Sequence, residues 1–146
     1  MSDRSSLVGK EISRFRFTVE RGKIRELALA IGDDNPLYTD PGYARSQGYR
    51  DVIAPPTFGT VIDFWGGRDF TAMCDKLQMN PVKVLHGEQE YRYYGEIYPG
   101  DEIEASCVLQ NIVDKGKMHI FLLETTYRNQ AGATVLVARS TTIERK

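Results

Sequence analysis

The chain has 146 residues, 41% hydrophobic and 27% charged, the profile of one globular domain over 1–146 with little room for a second. Nineteen basic against twenty acidic side chains give a formal charge of −1, so no overall field draws it to nucleic acid or an anionic membrane. No apolar run approaches the roughly 20 residues of a membrane helix, and Met1 to Lys10 lacks the apolar core of a secretory signal, so a cytoplasmic protein is expected.

In chain order, Ser13 to Val19 alternates Phe15 and Phe17 with Arg14, Arg16 and Thr18, the period of a half-buried strand. Ile24, Leu27, Ala28 and Ile31 then fall at i, i+3, i+4 and i+7, which predicts a short helix with one buried stripe, ended by Gly32. Ala30 to Tyr38 follows, and its Gly-Asp and Asn-Pro pairs turn the backbone sharply, because Pro locks its own φ and pushes the preceding residue out of the helical region. Asp33 and Tyr38 can converge there on one pocket. Pro41 to Ala54 reads as a loop with one helical turn.

Pro55-Pro56-Thr57 reads as a helix start, and Phe58, Val61, Ile62 and Trp65 repeat the helical spacing. Only Thr60 and Asp63 break its apolar surface, so this helix should be largely enclosed. Gly66-Gly67 interrupts it before a second short piece carrying Phe70, Met73 and Leu77. The remainder is β-prone in four runs, Val82 to Tyr98, Glu102 to Val113, Met118 to Arg128 and Thr134 to Ile143. Their connectors have tight-turn composition, which predicts consecutive antiparallel neighbours in a meander with Ile120 to Leu123 central. One enclosed helix and a long twisted antiparallel sheet bury each other most economically when the sheet wraps the helix, an α+β hot-dog fold.

Cys74 and Cys107 lie far apart outside any Cys-x-x-Cys pair, so buried free thiols are expected rather than a disulfide or a zinc site. No metal-ligand cluster or Gly-rich dinucleotide loop occurs, so neither a metal nor a nicotinamide cofactor is implied. Asp33 reads either as an Asx-turn carboxylate or as a functional acid, and Asn35 either as a loop brace or as a substrate contact. His86 lies on a predicted strand with Val84 and Glu88 on its face, while His119 reads as a surface residue. Tyr91, Tyr93, Tyr94 and Tyr98 read as sheet packing. Arg45, Arg50, Arg68 and Arg92 are candidate partners for coenzyme phosphates.

Five blocks in this order resemble the MaoC-like hydratase and dehydratase family, in particular its N-terminal, fungal fatty-acid-synthase-like dehydratase domain. They are Gly9-Lys10-Glu11, Ala30 to Tyr38, Ala54-Pro55-Pro56-Thr57-Phe58, Leu85 to Tyr91 and Pro99-Gly100-Asp101, and they span nearly the whole chain. The resemblance implies a pocket for an acyl thioester, with coenzyme A or acyl carrier protein as part of the substrate, and addition or removal of water at the α,β double bond. It implies Asp33 as catalytic base or holder of the water. In the family's catalytic members a His stands five residues later, and this chain has Tyr38 there.

A phenol with a reference pKa of about 10 is a poor base near neutrality, where an imidazole near about 6.5 serves. His86 is then the substitute base if the chain is catalytic alone, with Tyr38 as a hydrogen-bond donor. Asn35, Pro56, Thr57, Phe58 and Gly59 are the substrate-binding candidates, the helix start offering N–H groups to a thioester carbonyl. Three functions remain open: a (3R)-hydroxyacyl-thioester dehydratase or enoyl-thioester hydratase, a non-catalytic acyl-binding subunit beside a catalytic hot-dog partner, and a thioesterase. In each, the exposed edges of the sheet lead to a homodimer or a heterodimer.

Overall fold

Alternation along the first strand is realised as β1, Glu11–Thr18, in the computed structural model, which describes residues 3–146; Met1 and Ser2, the start of the N-terminal stretch read above, lie outside them. The first helix is α1, Arg21–Ala30, which buries Ile24 and Ala28. Ile31, expected on the same stripe, is half exposed because the helix has already ended there. The helical turn expected beyond it is α2, Pro41–Ser46, with Asp40 capping the Tyr43 amide at 3.0 Å.

The central helix is α3, Gly59–Gly66, which begins two residues after Thr57 because Pro55 and Phe58 close a separate turn (N···O 2.9 Å). Gly67, at φ +112°, ends it in a left-handed conformation that glycine adopts without penalty. Next comes α4, Phe70–Leu77, capped by the Asp69 carboxylate.

The strands β2 (Val84–Tyr93), β3 (Glu102–Asp114), β4 (Met118–Arg128) and β5 (Thr134–Arg145) join β1 in a five-stranded antiparallel sheet of order β1-β3-β4-β5-β2. The meander expected for the last three strands is present, with Ile120 to Leu123 on the central strand. The expectation fails for β2, which pairs with β5 at the far edge rather than with β3.

Pro99-Gly100-Asp101 is therefore no hairpin turn. Residues 94–101 cross the end of the sheet, tied to Val135 by the Tyr94 amide, to Ala54 by the Ile97 carbonyl and to Val19 by the Gly100 amide. Buried Asp101 holds that corner, accepting from the Tyr98 amide at 2.9 Å, Arg50 at 2.8 Å and Gln130 at 3.0 Å.

The sheet wraps α3, and the fold is the α+β hot-dog. Phe58 and Ile62 are fully buried with Ile103, Tyr127 and Leu136 in the main core, while a second cluster beneath α4 joins Cys74 and Leu77 to Leu109 and Phe121. Both cysteines are buried free thiols. Enclosure of α3 is one-sided, contrary to expectation: Phe64 and Trp65 are 72% and 71% exposed, because one five-stranded sheet covers only the opposite side.

Candidate functional site

The Asp33 loop is built by local hydrogen bonds. Beyond α1 the Asp33 amide donates to the Ala28 carbonyl (2.9 Å) and the Gly32 amide to the Leu29 carbonyl (3.2 Å), with Gly32 at φ +70°. This paired termination needs a left-handed residue at Gly32 and delivers the next residue at a set angle. Asp33 Oδ1 then accepts from the Asn35 amide at 3.1 Å, and Asn35 Oδ1 from the Leu37 amide at 3.0 Å, opening a 3-10 turn, Pro36–Tyr38. Asp33 Oδ2 has no protein hydrogen-bond partner among the described residues.

Tyr38 lies in the main core at 7% exposure, close enough to Asp33 and Glu96 that both carboxylates add to burial in pushing its phenol above the ordinary value. Asp33 thus lies within electrostatic range of the Tyr38 phenol. Asn35 acts as the loop brace.

Glu96, unremarked in the sequence, completes this region. The Ile53 amide donates to the Leu37 carbonyl (3.0 Å) and the Ala54 amide to the Ile97 carbonyl (2.9 Å), which laces residues 37, 53–54 and 97 side by side. Burial raises the Glu96 carboxyl above the usual carboxylate range. Tyr93 Oη donates to the Pro56 carbonyl at 2.8 Å, and burial drives its phenol far up, so it remains a donor. At the start of α3, Phe58 is buried core, Pro56 and Thr57 are exposed, and the Phe58 and Thr60 amides are taken up by Pro55 and Thr57 carbonyls.

His86 does not join Asp33. It is exposed on β2 beside a register shift, seven residues before Tyr93, a separation of about 20 Å along a strand. It lines a different cavity, of ≈ 610 Å³, whose walls include neither Asp33 nor Tyr38. His119 is half-buried, its Nδ1 3.6 Å from Asp114 Oδ2.

Sequence reading also missed a buried cluster on the wall of that cavity. Asp63 accepts from Tyr127 Oη at 2.5 Å and from Arg68 Nη1 at 3.0 Å, while Arg68 Nη2 donates to Thr125 Oγ1 at 2.7 Å and approaches Cys107 Sγ at 2.9 Å. Burial pushes the Asp63 carboxyl up against the pull of Arg68 and Tyr127. Arg68 Nε is buried without a hydrogen-bond partner, and an unsatisfied buried donor costs about 1–3 kcal/mol.

Arg68 is thereby withdrawn from the candidates for coenzyme phosphates. Arg50 is engaged with Asp101 and stacked over Tyr98, and Arg92 pairs loosely with Glu90 at 3.4 Å. Tyr91, Tyr93 and Tyr98 pack on the main core, while Tyr94 is 61% exposed. No helix among the described residues is long and apolar enough to cross a membrane.

A five-stranded sheet around a central helix, with an Asp-bearing loop after α1, places the chain in the hot-dog class of folds. Residues 6–138 match the family described as FAS1-like, dehydratase domain region, and the chain belongs to that family. A UPF0336 protein of Thermobifida fusca is 37% identical over 123 residues, covering 84% of this chain and 80% of that relative.

Among solved structures, the ChsH1-ChsH2 complex of Mycobacterium tuberculosis matches with TM-score 0.77 and 20% identity, over 98% of this chain and 92% of that one. The C-terminally truncated HadBC (3R-hydroxyacyl-ACP dehydratase) complex from the same organism matches with TM-score 0.75 and 21% identity, over 90% and 94%.

Proposed function

We propose that this chain is the acyl-thioester-binding subunit of a (3R)-hydroxyacyl-thioester dehydratase or enoyl-thioester hydratase, completed by a second hot-dog chain that supplies the base. The observation that carries this reading is Tyr38, buried at 7% exposure with its phenol raised, at the position where the family's catalytic members carry an imidazole. A phenol held above about 10 takes up no proton near neutrality. The nearest alternative, His86, lies far down β2.

The substrate is an acyl group on coenzyme A or acyl carrier protein. The Thr57 and Gly59 amides and the free Asp33 oxygen are the groups this chain offers the thioester end. Support for a partner comes from the open side of α3, where Phe64 and Trp65 are exposed, and from β2, an edge strand with unpaired backbone groups. The solved HadBC and ChsH1-ChsH2 assemblies are complexes on this fold.

The test compares the purified chain with the chain co-purified with a hot-dog protein bearing Gly-Asp-x-Asn-Pro-x-His from the same genome, following loss of enoyl absorbance with crotonyl-CoA and longer enoyl-CoAs. The chain alone should bind acyl-CoA without turnover, and the pair should hydrate. Hydration by the isolated chain that Asp33→Asn abolishes would replace this reading with a self-sufficient hydratase. Release of free thiol would replace it with a thioesterase.

A further inference from the structure

We propose that Tyr38 and Glu96 together hold the 3-hydroxyl of a hydroxyacyl thioester, Tyr38 donating a hydrogen bond to that oxygen and Glu96 accepting one from it. This chain then binds the hydrated form of the substrate in preference to the enoyl form. The proposal rests on the acyl-binding reading above and names the substrate form within it.

Backbone pairing brings the two side chains together. The Ile53 amide on the Leu37 carbonyl and the Ala54 amide on the Ile97 carbonyl set Tyr38 and Glu96, each one residue from these bonds, beside the approach to α3. Asp33 and Glu96 both lie within electrostatic range of the Tyr38 phenol, and neither hydrogen-bonds it, which leaves room for a bridging oxygen. Of the two carboxylates only Glu96 also acts on Tyr93, whose hydroxyl sits on the Pro56 carbonyl ahead of α3. Glu96 is therefore the one nearer the helix start, where the acyl-binding reading holds the thioester carbonyl.

Neither group is satisfied within the chain. Tyr38 Oη and the Glu96 carboxyl have no hydrogen-bond partner or ion pair among the described residues. Both are reachable, since Arg68 Nε is the sole unpartnered side-chain atom shut away from solvent among those residues. Burial works against the Glu96 charge, and a half-buried carboxylate with no cation beside it is relieved by a donor that replaces lost water. A hydroxyl both accepts from the phenol and donates to the carboxylate. An enoyl or saturated carbon displaces water from Glu96 and returns no hydrogen bond, which loses affinity. A 3-ketone accepts from Tyr38 but turns its negative oxygen toward the carboxylate.

Calorimetric binding to the full chain, alone and with a hot-dog partner whose base is replaced by alanine so that nothing turns over, compares both enantiomers of 3-hydroxydodecanoyl-CoA with 7-hydroxydodecanoyl-, 3-oxododecanoyl-, 2-dodecenoyl- and dodecanoyl-CoA. One 3-hydroxy enantiomer should bind about tenfold more tightly than each of the others, the worth of one hydrogen bond to a charged acceptor. Glu96→Gln and Tyr38→Phe should each cut that preference to about threefold or less, and Glu96→Gln should do so with no loss of Tm, which separates ligand contact from a structural role.

A 3-hydroxy chain no tighter than the enoyl and saturated chains overturns this inference and leaves the acyl-binding reading standing. A preference that survives Glu96→Gln intact overturns the assignment to Glu96. Failure of every acyl-CoA to bind overturns both readings. The ligand series on the unmutated chain decides the preference even if a variant fails to fold.

Discussion

The Asp33–Tyr38 loop and the Asp63–Arg68–Tyr127 cluster are two polar regions of one hot-dog domain, assembled in opposite ways. The hydrogen bonds that shape the loop join residues within five positions of one another, apart from the Ile53 amide to the Leu37 carbonyl. The cluster joins Asp63 on α3 and Arg68 just beyond it to residues 64 and 57 positions later, on the sheet. The loop is half-exposed and replaceable in stability terms, whereas the cluster is a buried network in which removing one member strands the others.

Asp63→Ala should break this symmetry most severely. It leaves the Arg68 charge buried without its carboxylate and should lower unfolding free energy by about 3–5 kcal/mol in chemical denaturation. Asp33→Asn should change it far less. Equal losses at the two sites would dissolve the distinction.

Next is Gly59→Ala, where a Cβ would meet a Tyr91 ring carbon at 2.6 Å and Leu136 at 3.1 Å; overpacking of this kind costs about 1–3 kcal/mol and should appear as a lowered Tm. In the loop, Asn35→Ala removes the acceptor for the Leu37 amide, and a lost cap of this type costs about 1 kcal/mol.

Two smaller effects are read against pH. Burial raises the folded Glu96 carboxyl above its ordinary value of 4.5, so the folded state binds more protons there and stability falls as pH rises from 4.5 through the folded value. Glu96→Gln should flatten that fall and slightly raise Tm at neutral pH. Asp51 behaves oppositely: its fork with Arg21 lowers its carboxyl from 3.8 to about 2. Its contribution is present above 3.8 and lost as pH falls toward 2, so Asp51→Asn should remove part of the acid destabilisation seen in thermal melts.

Much of the loop was legible in the sequence. Gly32 as terminator, Asp33 and Asn35 as turn carboxylate and brace, and Tyr38 as their neighbour follow from residue type and short spacing. The placement of His86 was not legible, because alternation gives the face of a strand but not where the strand sits. The pairing of β2 with β5 carries His86 to the far cavity. Arg68 was read as a candidate partner for coenzyme phosphates for the same reason. Nothing within its own segment tells of Thr125, Cys107 and Tyr127 arriving from the sheet.

By itself the sequence determined the strand and helix types, the caps that end them and the wrapped-sheet class, because these depend on periodicity and on backbone preferences of nearby residues. Only the tertiary structure decided which edge β2 occupies, which side of α3 stays bare and where an ion pair sits beneath an apolar cavity. Those outcomes depend on the order in which strands pair across the whole chain, a long-range choice that local pattern does not encode.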